Sequence, residues 1–242
     1  FLNFTLHNFV YCTINHQALN FLSHFYHELP VSDPNFAAGL ILPDILSNYS
    51  YRTGEVVKLH PQKLVYTDNP ELNSMTEGVK RHYFVDGHFH ESTFFEQNTT
   101  AISALIKATG FSCFDKRLYA ISHVLLEVVL DRTLLTSRPE VCKQLYDLIE
   151  IVDTSQISRL VANNTQAMDP DGIGNHFKVF RERKFLYDYA YDERLTGIIN
   201  GINIRLGNPP MNETDQNRFK IVIHDIEKTI LSQKFPKFPT DS

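Results

Sequence analysis

Residues 118–131, LYAISHVLLEVVLD, decide the fold because they are apolar nearly all round a helix. A helix of this kind lies either at the centre of a protein core or in a membrane. His123, Glu127 and Asp131 interrupt the run, which falls short of the roughly 18 consecutive apolar residues of a membrane span. We therefore predict that this segment is the central core helix of a water-soluble domain.

The rest of the chain also has helical periodicity. Apolar residues recur every three or four positions, and alternation with a period of two is scarce. The predicted helices cover 19–28, 35–47, 73–109, 115–136, 140–152, 155–166, 174–189, 192–204 and 213–233. We predict an all-α fold, a compact multi-helix bundle. No shift in composition marks a domain boundary, so we expect a single domain.

Composition and charge narrow the set of partners. Hydrophobic residues make up 43% and charged residues 21% of the 242 residues, as in ordinary globular domains. The net charge of -5 gives no overall electrostatic reason to bind nucleic acid or anionic lipid. We therefore expect neither a nucleic acid nor a membrane as partner, and the oligomeric state stays open.

Cysteine usage and the first residues predict a cytoplasmic protein. Cys12, Cys113 and Cys142 are odd in number and far apart, which argues against a disulfide framework or a thiolate zinc site. Residues 1–18 lack the basic and apolar regions of a signal peptide.

A first stripe of ionisable residues lies in GVKRHYFVDGHFH, residues 78–90. His82, Asp86 and His90 are spaced four residues apart. At about 100° per residue, each lies about 40° round the helix from the last, so the three side chains share one face. The apolar neighbours of this face predict that it is buried.

A second stripe, His123, Glu127 and Asp131, repeats this spacing on the central core helix. Burying a carboxylate without a compensating charge costs several kcal/mol, so a cation must face Glu127 and Asp131. Inward-facing His and carboxylate residues on two helices are typical of helical bundles that bind metals. The alternative is a structural core in which these side chains pair with one another.

Two further polar residues lie in apolar surroundings. His24 follows the segment NFLS, and Asp44 follows GLILP. Nitrogen and oxygen ligands without a thiolate suit zinc, manganese or iron, and several carboxylates together can hold two ions. We therefore add both residues to the candidate metal site.

The order of these motifs resembles the acyl carrier protein phosphodiesterase family. The matching segments lie within residues 19–135 and are Asn20-Phe-Leu-Ser-His24, Gly39 to Pro43-Asp44, Gly78-x3-His82-x3-Asp86-x3-His90 and a later helix that carries His123. The resemblance implies an all-helical, HD-like fold and a manganese-type hydrolase. Such an enzyme cleaves the phosphodiester between 4'-phosphopantetheine and a serine of acyl carrier protein. It also implies that residues 1–18 are an extension or reflect a misplaced translation start, with the domain at 19–242.

The resemblance and the two stripes together give the candidate site. Carried over by position, the family's ligand or catalytic residues fall at His24, Asp44, His82 and Asp86. The full set of predicted metal ligands is His24, Asp44, His82, Asp86, His123 and Glu127. The predicted catalytic residues are His90 and Asp131, and the candidates for holding the phosphate are Lys80, Arg81 and Arg132.

Three departures from the family pattern keep other functions open. Tyr83 stands in place of Arg, Phe89 in place of Asp, and Ser122 in place of Asp. A metal-binding module with impaired catalysis is one alternative. A zinc-dependent phospholipase C or nuclease is another, because that class also carries His-x3-Asp and His-x3-Glu helices after a Pro-Asp segment, and Glu127 fits it better. Both enzyme classes activate a water to attack a phosphorus ester.

One long irregular stretch completes the sequence pattern. Residues 48–72 are rich in Tyr, Pro, Asn, Thr and Asp. A loop of that length is often a lid or a binding element, and disorder is the alternative.

Overall fold

The protein is all-α, as the apolar periodicity predicts. The computed structural model describes residues 21–233, and no β-strand occurs in this range. Its α-helices are α1 (Phe21–His27), α2 (Pro34–Thr53), α3 (Pro70–His90), α4 (Thr93–Thr109), α5 (Leu118–Ser137), α6 (Pro139–Glu150), α7 (Thr154–Asn164), α8 (Pro170–Arg183), α9 (Asp192–Arg205) and α10 (Glu213–Leu231). Two 3-10 helices cover Pro61–Lys63 and Phe185–Ala190. The extension expected at 1–18 lies outside the described residues.

Helix α5 lies at the centre of the bundle. All its residues from Ala120 to Leu135 are buried. Helices α1, α4, α6 and α10 and the second 3-10 helix pack around it, which is why its sequence is apolar on every side. The buried apolar residues between Phe21 and Ile230 form one core. Within the described range, none of the helices is long and apolar enough to cross a bilayer.

Helices α2 and α3 cross with their backbones in close contact at two glycines. A Cβ on Gly39 would lie 2.1 Å from the carbonyl oxygen of Met75, and one on Gly78 would lie 2.3 Å from that of Phe36. Any larger residue would therefore push the two helices apart. His82 lies one turn beyond Gly78, and this close approach brings it to the side chain of Asp44.

The prediction of a single helix at 73–109 is wrong, because the structure has two helices there, α3 and α4, which are separated at residues 91 and 92. The Ser92 hydroxyl accepts a hydrogen bond from the backbone N–H of Phe95 (3.1 Å) and donates one to the carbonyl of Phe89 (2.6 Å). These local bonds cap the start of α4 and close the end of α3. The apolar period continues across the break and conceals it in the sequence.

The irregular stretch predicted at 48–72 is shorter than expected and well packed. Helix α2 continues to Thr53, and α3 begins at Pro70, after the N-cap Asn69. Between the two helices, Val57, Leu59 and Leu64 are buried. These three residues anchor the segment to the core and argue against disorder there, and its role as a lid or binding element stays a prediction.

Candidate metal centre

Six of the predicted site residues form two compact groups of metal-ligating side chains. In each group, one ligand atom from every residue lies within 4.8 Å of the others. The first group is His24, His82 and Asp86, and the second group is His90, His123 and Glu127. Helices α1, α3 and α5 supply these residues, so the centre lies against the core helix.

The first group is built where α1 and α3 meet. The rings of His24 and His82 lie 4.0 Å apart between centroids, at an angle of 32°. The Nδ1 atom of His82 lies 2.8 Å from the Leu40 carbonyl, so it is the nitrogen that carries the proton and donates. This bond leaves Nε2 as the acceptor, 3.9 Å from Oδ1 of Asp44. Such fixing of the tautomer by a carbonyl is common in metal-binding histidines.

The second group is built between the end of α3 and the middle of α5. Oε1 of Glu127 lies 2.7 Å from Nε2 of His123 and 3.3 Å from Nε2 of His90. The two histidine Nε2 atoms are 2.9 Å apart. Two nitrogens and one carboxylate oxygen therefore point at one small volume.

The two groups share an edge. Nδ1 of His90, in the second group, lies 3.3 Å from Oδ2 of Asp86, in the first. Both residues belong to α3, one turn apart, so the helix itself fixes this contact. The side chains of Asp86 and His90 are 24% and 25% exposed, whereas those of His82, His123 and Glu127 are 3% exposed or less. The centre is therefore open to solvent at this edge.

Several buried polar atoms of the centre have no hydrogen-bond partner among the described residues. They are both ring nitrogens of His24, Oδ2 of Asp44, Oδ1 of Asp86 and Oε2 of Glu127. Buried polar atoms are nearly always partnered in folded proteins, so a group of exceptions in one place needs an explanation. A bound cation supplies one, since these atoms are the lone-pair donors that a divalent metal uses.

The pKa values at the first group favour neutral imidazoles. Burial and the neighbouring His82 lower the pKa of His24 well below its usual value. Burial also lowers the pKa of His82. A neutral imidazole is the form that binds a metal. Burial and the charges of Glu127 and Asp86 raise the pKa of Asp44 well above its usual range.

The second group behaves as an ion pair. Burial lowers the pKa of His90, but its hydrogen bonds to Asp86 and Glu127 outweigh burial and raise it to about 10. Burial raises the pKa of Glu127, but the charge and hydrogen bond of His123, with those of His90, lower it to about 2. Without a metal, the Glu127 carboxylate of this group and the neighbouring Asp86 carboxylate therefore pair with a protonated His90.

Two of the predicted ligand and catalytic residues lie outside both groups. Asp44, predicted as a ligand, borders the first group through His82. Asp131, predicted as catalytic, is fully buried, and its oxygens accept hydrogen bonds from the backbone of Leu22 and from Ser23. Burial raises the pKa of Asp131 to about 7, against the effect of these bonds.

The three cations predicted to hold a phosphate all contact protein groups. Lys80 donates to the hydroxyl of Tyr66, and Nε of Arg81 donates to Glu28 (2.7 Å). Arg132 is 5% exposed. Its guanidinium donates to Glu227, Asp192 and the carbonyl of Tyr189 at 3.0, 2.8 and 2.9 Å. Arg132 thus ties α5 to the last two helices and the second 3-10 helix.

The three departures from the family pattern replace charged residues by an aromatic or hydroxyl side chain. Phe89 packs against Phe95, and the Ser122 hydroxyl lies 2.7 Å from that of Ser103. Tyr83 packs edge-on against the ring of His82.

Sequence reasoning missed two contributors to the centre. The Leu40 carbonyl orients His82, and the ring of Phe95 stands nearly perpendicular to those of His90 and His123, with centroids 4.7 and 4.9 Å away. No motif marks a backbone carbonyl, although Leu40 directly follows the close-contact glycine Gly39.

Comparison of the chain with protein-family models, with curated proteins and with solved structures gives no match.

Proposed function

We propose that the protein is a metal-dependent hydrolase of phosphodiesters. The observation that carries this proposal is that the two groups of metal-ligating side chains contain buried atoms of His24, Asp86 and Glu127 that have no hydrogen-bond partner among the described residues, with a further such atom on the neighbouring Asp44. Leaving such atoms buried without partners costs about 1–3 kcal/mol each, and more for charged groups. A cation would remove this cost, and each of the two groups could hold one ion.

The donor set fits a divalent metal. Histidine nitrogens and carboxylate oxygens without thiolates suit zinc, manganese or iron. When bound, such an ion lowers the pKa of a water and stabilises negative charge on phosphoryl oxygens. The chain's own part is to hold the ligands: the Leu40 carbonyl orients His82, and the spacing of four residues on α5 places Oε1 of Glu127 beside Nε2 of His123. Asp86 and His90 leave the centre open on one side.

The substrate class rests on resemblance. The motif order resembles the acyl carrier protein phosphodiesterases, so we propose 4'-phosphopantetheine linked to acyl carrier protein as the first substrate to test. The weaker resemblance to zinc-dependent phospholipase C and nucleases suggests other phosphorus esters. Hydrolysis of each of these substrates needs the same attack of an activated water on a phosphorus ester. The protein surface around the metal ligands would therefore decide which substrate is bound.

A binding module that holds metal without turnover is the second candidate. It is favoured by the state of the predicted phosphate-binding cations, since Lys80, Arg81 and Arg132 each contact acidic or hydroxyl groups of the protein. Under this function the protein would bind metal tightly and bind a carrier protein without cleaving it.

Elemental analysis of protein purified without chelators or a His-tag tests the proposal. We expect near-stoichiometric metal, lost from His24→Ala and His123→Ala. His224→Ala is the matched control, because His224 contacts the carboxylates of Asp192 and Glu227 (3.0 and 3.3 Å) yet belongs to neither group. No metal, even after manganese, zinc or iron is added back, would overturn the proposal. Bound metal without hydrolysis of bis(p-nitrophenyl) phosphate or holo acyl carrier protein would favour the binding module.

A further inference from the structure

Asp131 accepts three hydrogen bonds from the first turn of α1. Its Oδ2 accepts a hydrogen bond from the backbone N–H of Leu22 (3.0 Å). Its Oδ1 accepts one from the backbone N–H of Ser23 (2.8 Å) and another from the Ser23 hydroxyl (2.8 Å). Both oxygens are thus occupied by α1, and Asp131 has no exposed surface. It cannot touch a substrate that enters at Asp86 and His90.

This contact connects the two halves of the candidate metal centre. Asp131 lies one helical turn after Glu127 on α5, and Ser23 directly precedes His24 on α1. Helix α1 has only seven residues, and the packing of Phe21 on Phe180 and Phe185 anchors its first residue. Seven residues form about two turns, too short for a helix to hold its own direction. The bonds from Asp131 therefore set where His24 points.

We infer that Asp131 is a positioning residue, which fixes α1 so that His24 completes the first ligand group. The inference rests on the proposed metal centre. Residues that orient metal ligands from outside the ligand set typically change metal affinity by about 10–100-fold when altered. Asp131 acts one step further away, through the backbone of α1 rather than through the imidazole. It belongs with the ligand supports and not with the catalytic residues.

Three variants test this role. Asp131→Asn places an NH2 group against a backbone N–H, Ser23→Ala removes only the hydroxyl bond, and Asp131→Glu keeps the carboxylate. We expect metal affinity at the first group to fall about 10–100-fold in Asp131→Asn and by less in Ser23→Ala, with partial recovery in Asp131→Glu. The readouts are cobalt titration followed by its visible absorption spectrum, and the metal content after dialysis.

A matched control lies elsewhere in the fold. Asp215 is also buried, and it accepts bonds from the backbone N–H and the hydroxyl of Ser112 (3.2 and 2.6 Å). Asp215→Asn therefore breaks bonds of the same kind away from both ligand groups. It should lower the melting temperature as Asp131→Asn does, but leave cobalt affinity and spectrum unchanged.

The outcomes separate the two proposals. Wild-type protein that takes up no cobalt, zinc or manganese overturns the metal centre and, with it, this role. Wild-type protein that binds metal, with Asp131→Asn and Ser23→Ala showing wild-type affinity and spectrum, overturns the positioning role alone. Loss of cobalt affinity in Asp215→Asn equal to that in Asp131→Asn also overturns it, because general destabilisation would then explain both. If Asp131→Asn does not fold, Ser23→Ala decides.

Discussion

Gly39 and Gly78 face each other where α2 and α3 cross, and a Cβ on Gly39 would lie 3.0 Å from the Cα of Gly78. This contact does more than pack two helices. Leu40 follows Gly39 and presents its carbonyl to His82, which lies one turn beyond Gly78. The two glycines thereby set the distance between His82 and the Leu40 carbonyl that orients it.

Replacing either glycine should damage both stability and the centre. In Gly39→Ala or Gly78→Ala the new methyl group would meet backbone carbonyls at 2.1 or 2.3 Å, so the helices must separate. Forcing extra volume into a packed contact lowers the free energy of unfolding by about 3 kcal/mol. We expect that loss in urea unfolding, together with loss of metal from the first group. Gly197→Ala is the control: it lies inside α9 with nothing within 4 Å of the new Cβ, and should stabilise by about 0.5–1 kcal/mol. Wild-type stability in Gly78→Ala would contradict the close contact.

The sequence was sufficient for those features that depend on one helix at a time. Apolar periodicity predicted the all-α fold, and the spacing of four placed His82, Asp86 and His90 along one face of α3. Their relation to other helices could not be predicted, because spacing fixes a direction on a helix and not the neighbour that it meets. Hence Asp131, on the same stripe as Glu127, accepts hydrogen bonds from α1, and His90, predicted as a catalytic residue, lies with His123 and Glu127 in the second group of metal-ligating side chains.

A local cap and two long-range contacts account for what the sequence did not predict. The capping bonds of Ser92 separate α3 from α4, although the apolar pattern continues across them. The guanidinium of Arg132 donates to Asp192 and Glu227, which are 60 and 95 residues away, and these contacts decide whether it is free to hold a phosphate. Pairing over such distances leaves no trace in a single sequence.

Replacing His24 or His123 by Leu should change the free energy of unfolding of the metal-free protein in opposite directions. His24 has no hydrogen-bond partner on either nitrogen among the described residues, so His24→Leu replaces an unsatisfied buried group by an apolar one. We expect a gain of about 1 kcal/mol in the free energy of unfolding. His123→Leu instead removes the 2.7 Å contact to buried Glu127 and should cost about 3 kcal/mol. Urea unfolding in excess chelator measures both, and equal losses would contradict the difference in their surroundings.

Removing the metal should lower the thermal stability of the wild type. A ligand at 100 times its Kd stabilises the folded state by about 2.7 kcal/mol, which for a domain of this size corresponds to about 5–10 °C in Tm. We expect calorimetric scans to show that drop on addition of EDTA and its reversal by manganese or zinc. The double variant His24→Ala/His123→Ala should melt at one temperature with and without EDTA. A drop of similar size in the double variant would place the metal elsewhere.

Metal uptake should release a proton from His90. Its folded-state pKa of about 10 lies above the ordinary value, so His90 stays protonated at pH 7 and loses its proton only as the pH rises towards 10. A histidine that binds a metal must be neutral, so an ion displaces that proton, and affinity should rise about tenfold per pH unit up to pH 10. Calorimetric zinc titrations at pH 7, in buffers that differ in ionisation enthalpy, count the protons released. We expect about one proton more from the wild type and from His224→Ala than from His90→Gln. Equal release from His90→Gln and the wild type would show that His90 does not carry the displaced proton.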